Sequence, residues 1–170
     1  MRKIPIILNS LIVIITSLYS LDSKEELFLF DGDNRFYLLM PVSEVYRILG
    51  DPMKTITVIN PIPNHNFEMI TLEYPGLTFI YHKFGDDPGI ELIGFSDKKI
   101  KLGNQNVIGC SKGEIAEKYD EPKFIEIADT CSYYRYEFWI DMIEHINLQF
   151  RFNLMGVCDG VILTHSSISV

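Results

Sequence analysis

The sequence predicts an α+β fold of two tandem repeats, each a short helix packed on an antiparallel β-meander, over residues 25–96 and 97–170. Three observations carry this. The outline of Val45-Tyr46-Arg47-Ile48-Leu49-Gly50-Asp51-Pro52 returns seventy positions later as Ile115-Ala116-Glu117-Lys118-Tyr119-Asp120-Glu121-Pro122. Asn34, Glu44 and Ser96 match Asn104, Glu114 and Ser166 in the same register, and self-similarity at a fixed spacing points to a repeated structural unit. Directly after each proline the apolar pattern changes from helical spacing to alternation. Turn-forming clusters then break the alternating stretches, so consecutive strands fold back as a meander.

Each repeat opens on a hairpin. Leu27-Phe28-Leu29-Phe30 and Phe36-Tyr37-Leu38-Leu39 flank the turn cluster Asp31-Gly32-Asp33-Asn34, and Lys99-Ile100-Lys101-Leu102 and Val107-Ile108 flank Gly103-Asn104-Gln105-Asn106. A short helix follows. Val42, Val45, Tyr46 and Leu49 share one helical face, as do Ile115, Ala116 and Tyr119, and Pro52 and Pro122 stop the two helices. In the first repeat strands are expected at 54–59, 67–74, 77–84 and 90–96, broken by Asn60-Pro61-Ile62-Pro63-Asn64, Pro75-Gly76 and Asp86-Asp87-Pro88-Gly89. In the second they fall at 123–128, 132–140, 146–153 and 160–166, with Met155-Gly156-Val157-Cys158-Asp159 as the last break. No Ser-rich or charged linker lies near residue 97, so the two sheets are expected to pack as one unit.

Alternation separates the sheet faces. Tyr134, Tyr136 and Phe138, with Ile146, Leu148, Phe150 and Phe152, fit the helix side. Tyr133, Arg135, Glu137 and Trp139, with Asn147, Gln149 and Arg151, fit the open side; Thr71, Glu73, Thr78, Ile80 and His82 join them from the first repeat. Trp, Tyr and Arg among paired charges have the composition of binding hot spots. The candidate protein-binding set is therefore Tyr133, Arg135, Glu137, Trp139, Arg151 and His82. The competing reading is an ordinary solvated sheet face, with Trp139 under a loop.

Residues 1–20 read as a secretory signal peptide: Arg2 and Lys3, then an apolar run from Ile4 to Leu18, then the small polar Ser20. Asn9, Ser10, Thr16 and Ser17 interrupt the run, which favours cleavage over a permanent anchor, although its length approaches the roughly 18–20 residues of a membrane span. Both readings place the rest of the chain outside the cytoplasm, periplasmic or secreted, with membrane contact only if the signal stays uncleaved. The whole chain has a formal charge of −8; without Arg2 and Lys3 the mature protein stands at −10. An acidic surface repels nucleic-acid phosphates and anionic lipid. The expected partner is another extracytoplasmic protein, with no nucleic acid.

The cysteines are odd in number: Cys110, Cys131 and Cys158. In an oxidising compartment any of three pairs could close. Cys110 with Cys131 is favoured because both lie at element boundaries of the second repeat, leaving Cys158, in a Gly-flanked turn, free or cross-linked to another molecule. No CxxC or His-x-x-x-His spacing offers a metal site.

One catalytic pattern occurs. Gly109-Cys110-Ser111-Lys112-Gly113 fits the nucleophile-elbow pattern between a strand and a helix, with Asp129 or Asp141 and then His145 or His165 in triad order. However, Ser111-Lys112-Gly113-Glu114 is also a capping box for a helix start, and an elbow needs a largely parallel sheet where this chain reads as hairpins. Asp31-Gly32-Asp33-Asn34 lacks the remaining ligands and distal Glu of a calcium loop. A non-enzymatic protein with no cofactor is the expectation.

A helix ending in Leu49-Gly50-Asp51-Pro52 before a meander rich in Phe and Tyr resembles the repeat of the β-lactamase inhibitor protein-like superfamily. So does the second copy, Tyr119-Asp120-Glu121-Pro122 followed by Tyr134-Arg135-Tyr136-Glu137-Phe138 and Leu148-Gln149-Phe150-Arg151-Phe152. The superfamily also includes the small lipoprotein of the outer-membrane β-barrel assembly machinery. The resemblance covers about residues 25–167 and implies an exported, non-enzymatic domain that binds another protein. In tandem members the open faces of the two sheets grip the target; the matching face here holds Tyr133, Arg135, Glu137, Trp139 and Arg151. The chain departs from the pattern in having one helix per repeat, Asp120 in place of a glycine, and no lipobox cysteine. An envelope assembly component that binds through a sheet edge or hairpin is the alternative.

Overall fold

The computed structural model describes residues 27–62, 65–139 and 144–167, with the backbone alone at 60–62, 65–67, 139, 144 and 167. The expected signal peptide lies outside the described residues. Among them the chain runs β1 (Leu29–Asp31), β2 (Asn34–Phe36), α1 (Val42–Leu49), β3 (Lys54–Ile62), β4 (His65–Tyr74), β5 (Leu77–His82) and β6 (Leu92–Phe95). It continues as β7 (Ile100–Leu102), α2 (Lys112–Tyr119), β8 (Phe124–Ile127), β9 (Cys131–Trp139), β10 (Glu144–Asn153) and β11 (Cys158–Ser167). The fold is α+β, with two antiparallel sheets and two helices.

The two meanders do not form two packed sheets. They merge into one eight-stranded sheet, ordered β3-β4-β5-β6-β11-β10-β9-β8. The joint pairs β6 with β11 through Phe95↔Val161, Gly94↔Ile162 and Ile93↔Leu163. Both strands end their own meander with an unpaired edge, and pairing edge to edge satisfies both rows of backbone groups. The opening hairpins form a separate three-stranded sheet, β2-β1-β7, held by Leu29↔Leu102 and Asp31↔Ile100.

Three local expectations are corrected. Strands do not extend through residues 37–39 or 107–108, because the chain turns there, with φ of 65° at Leu39 and 100° at Gly109. Residues 60–62 are not a break but the end of β3. Pro61 is tolerated there because β3 is an edge strand, where a missing N–H need not cost a ladder bond.

Helix ends are fixed by distinct chemistry. Ser111 and Glu114 form the expected capping box: the Ser111 N–H donates to Glu114 Oε2 at 2.7 Å, and the Glu114 N–H donates to Ser111 Oγ at 3.3 Å. α1 begins at Pro41 and has no cap of its own. Asp87, from the β5–β6 loop, supplies it: Ser43 donates to this carboxylate from its N–H at 3.0 Å and its hydroxyl at 2.6 Å. At the other end Gly50 (φ 72°, ψ −154°) and Asp120 (φ 63°, ψ −167°) adopt nearly the same backbone.

One face of the large sheet carries the core. Leu72, Phe79, Ile93, Leu148, Phe150 and Phe152 are fully buried beneath α1, α2 and the small sheet, and one cluster joins them to Leu29, Phe36, Val45 and Ile115. Tyr136 and Tyr119 pack on Phe150, with ring centroids 5.8 and 5.0 Å away. The expected face assignment holds for the described side chains of β4, β5, β9 and β10, leaving the opposite face for the candidate site.

Candidate functional site

On the face away from the helices, every described side chain of the large sheet keeps solvent exposure; only Gly160 is buried, and it lies under Arg151. The middle of the face is mainly apolar and hydroxyl, with Ile80, Thr78, Leu92, Ile162 and Thr164 half-exposed. Aromatic and charged side chains gather toward β8, β9 and β10.

Cross-strand pairing brings four of the six candidate residues together. Tyr133 stands opposite Arg151, Arg135 opposite Gln149, and Glu137 opposite Asn147. Tyr133 and Arg135, with Phe124, Glu126 and Gln149, line a depression of about 220 Å³. Arg135 reaches Glu126 at 3.8 Å, and its guanidinium carbon lies 5.9 Å from the Phe124 ring centroid. Lys123 stacks 5.6 Å from the same centroid and pairs with Glu137. Phe124 is thus a half-exposed aromatic flanked by two cations, an arrangement that sequence alternation alone did not single out.

Arg151 is held in place by a bulge. The register slips between Arg151↔Gly160 and Phe152↔Cys158, which leaves Asp159 as the extra residue. A bulge redirects a side chain, and here Asp159 accepts from Arg151 Nε at 2.8 Å. That bond raises the guanidinium pKa further above its usual value. Arg151 then lies across Gly160, where a Cβ would meet Nε at 3.4 Å, in ordinary van der Waals contact. The Tyr133 phenol is also raised, first by its hydrogen bond with Cys131 and then by burial.

Two candidates stand apart. His82 lies on β5, four strand spacings from β9, or about 19 Å at the usual interstrand distance. Its Nδ1 pairs with Glu91 Oε2 at 2.7 Å. Trp139 ends β9 opposite His145, and its side chain lies outside the described residues.

A second depression, of about 430 Å³, occupies the joint between the meanders, where Thr78, Leu92, Gly94, Gly160, Ile162 and Arg151 line it. Sequence reasoning missed most of this lining. The alternation at 92–95 and 160–164 was visible, but nothing local said that β6 would pair with β11. Arg151 rims this depression and Tyr133 the smaller one, so the Tyr133–Arg151 pair forms the ridge between them.

Cys110, Cys131 and Cys158 are free thiols in this structure, and Cys110 and Cys131, the pair expected from the sequence, lie on opposite sides of the sheet. Strand parity explains this. Cys131 shares the open face with Tyr133, whereas Cys110 packs against the core on the helix side and donates to the Asn106 carbonyl at 3.4 Å. Among the described residues no three His, Cys, Asp or Glu side chains cluster as metal ligands, and no helix is long and apolar enough to cross a membrane. Set against protein-family models, curated proteins and solved structures, the chain has no match.

Proposed function

We propose that this chain is an exported, non-enzymatic module of two tandem αβ copies that binds another protein through the open face of its sheet. The observation that carries the reading is the uncovered face itself, with two depressions parted by the Tyr133–Arg151 ridge and Phe124 set between cations. Tyr and Arg are the side chains that anchor interfaces, and a flanking depression gives a partner's side chain somewhere to be desolvated. An acidic chain favours a partner with a basic patch.

The tandem reading is supported by backbone detail. Gly50 and Asp120 share a helix-ending conformation, and Gly32 and Gly103 share positive φ of 60° and 57°. Met40 N–H donates to Tyr37 O and Cys110 N–H to Val107 O, both at 3.2 Å; Met53 N–H donates to Glu73 O and Lys123 N–H to Arg135 O, both at 2.9 Å. Phe95↔Val161 and Ile93↔Leu163 exchange under a local dyad through Gly94 and Ile162. A joint of this kind places both open faces on one surface, the arrangement implied by the resemblance to the β-lactamase inhibitor protein-like superfamily.

The second reading, pairing through a sheet edge, rests on β8. This edge strand leaves Phe124, Ile125 and Ile127 exposed at 48, 58 and 82%, and an extended segment could add to it. Capture from the native envelope and culture fluid with residues 21–170 tests both readings. A protein retained by wild type and by Ile125→Lys, but lost by a folded Tyr133→Ala, Arg135→Ala variant, supports the open face. Loss with Ile125→Lys alone transfers the site to the edge.

A further inference from the structure

We propose that Cys110 and Cys158 form a disulfide under oxidising conditions, fastening the start of α2 to the β10–β11 hairpin and leaving Cys131 as the free thiol. The Cys158 N–H donates to the Cys110 carbonyl at 2.8 Å, and the Cys158 carbonyl accepts from the Gly109 N–H at 2.8 Å. Covalent bond lengths then hold the two Cα atoms within about 6.7 Å. A disulfide bridges Cα separations of roughly 4.4–6.8 Å. Cys158 is buried in the core and Cys110 is half-buried against it, so both thiols belong to one cluster.

The other half of the molecule shows how this backbone slot places its side chains. There the Leu39 N–H donates to the Ile90 carbonyl at 2.7 Å and the Ile90 N–H to the Met40 carbonyl at 2.9 Å. Met40 and Ile90 therefore stand where Cys110 and Cys158 stand, and both turn into the core, at 2% and 0% exposed. The slot delivers two neighbouring side chains to one buried site; in the second half both are thiols. Cys131 cannot compete. It lies on β9, two strand spacings of about 4.8 Å from β11, and faces the opposite side of the sheet.

The chemistry is thiol–disulfide exchange with a small disulfide donor such as oxidised glutathione. Cys110, the more exposed, attacks one donor sulfur as the thiolate, forming a mixed disulfide and releasing one donor thiol. Cys158 then displaces the second. Two protein thiols become one cystine, one donor disulfide becomes two thiols, and the two cysteine protons end on the donor thiols. Burial pushes the Cys158 thiol up to about 12 and also raises Cys110, so the second displacement proceeds faster before the core closes than after.

The test refolds the reduced, denatured chain in a glutathione redox buffer, alkylates the remaining thiols and maps peptides without reduction. The expected result is one intramolecular cross-link joining the Cys110 and Cys158 peptides, with Cys131 alkylated, unchanged in Cys131→Ser. Reduction of that species should lower Tm by several degrees. An intramolecular link that includes Cys131, or alkylation of both Cys110 and Cys158 in the refolded protein, overturns the proposal.

Discussion

The Tyr136 hydroxyl donates to the main-chain carbonyl of Asp120 at 3.1 Å, tying the end of α2 to the sheet beneath it. Tyr74 does the same for Gly50, at the end of α1, at 2.9 Å. Each hydroxyl sits at the edge of the core, where a lost partner is not readily replaced by water. Removing it as Tyr136→Phe or Tyr74→Phe should cost about 1 kcal/mol, the net worth of a typical buried hydrogen bond. Urea unfolding with an unchanged slope checks this; a cost below about 0.3 kcal/mol in both variants would mean that neither bond holds its helix.

The same two phenols predict an alkaline limit. Burial pushes both up to about 12, from 10.0 in the unfolded chain. Because the folded value is the higher, their contribution is fully present below pH 10 and is lost as pH rises toward 12. Stability measured between pH 9 and 12 should fall in wild type, and fall less steeply in the double Phe variant.

Asp120 occupies backbone that suits glycine, with φ 63° and ψ −167°. For a residue with a Cβ this region costs of order 1–3 kcal/mol. Asp120→Gly should therefore raise stability by about 1 kcal/mol, since glycine's added freedom in the unfolded chain offsets part of the gain. Gly50→Ala, at φ 72°, should lower it. If Asp120→Gly is destabilising, the Asp side chain is making a compensating contact.

Much of this fold was legible because its signals are local. The helix faces at Val42 and Val45, the capping box at Ser111 and Glu114, and the alternation that sorts Tyr133 from Tyr134 all depend on neighbours in sequence. What was not legible depends on distant pairing. The union of β6 with β11 brings Gly94 to Ile162, sixty-eight residues away, and creates the larger depression. The bulge at Asp159 escaped notice for the same reason: a slipped register exists only relative to a partner strand. Which sheet face Cys131 occupies was not legible either, because proximity to element boundaries says nothing about the face a thiol takes.

The α1 cap is another long-range feature, and it should respond to acid. Asp87 is held below the usual carboxylate range by hydrogen bonds from the Ser43 hydroxyl and N–H. A depressed folded value means that its contribution is present above the unfolded pKa, near 3.8, and is lost as pH falls below it. Asp87→Asn should lower Tm at pH 7, and the gap from wild type should narrow steadily as pH falls below 3.8. The measurement is a pair of melting curves across that range. A gap that does not narrow as pH falls below 3.8 would show that the loop geometry, not the charge, stabilises the helix start.

Gly160 tests how the open face is organised. Arg151 lies across it, with Nε, Cζ and Nη2 all 3.4–3.5 Å from where a Cβ would be, which is ordinary van der Waals contact. Gly160→Ala should therefore fold with a change in stability of less than about 1 kcal/mol and leave the guanidinium on its Asp159 bond at 2.8 Å. If the face binds a partner, Gly160→Ala should bind about as wild type, while Arg151→Ala should weaken binding at least several-fold with Tm nearly unchanged. Binding lost in Gly160→Ala but kept in Arg151→Ala would show that the partner needs the bare backbone at Gly160 and not the guanidinium above it.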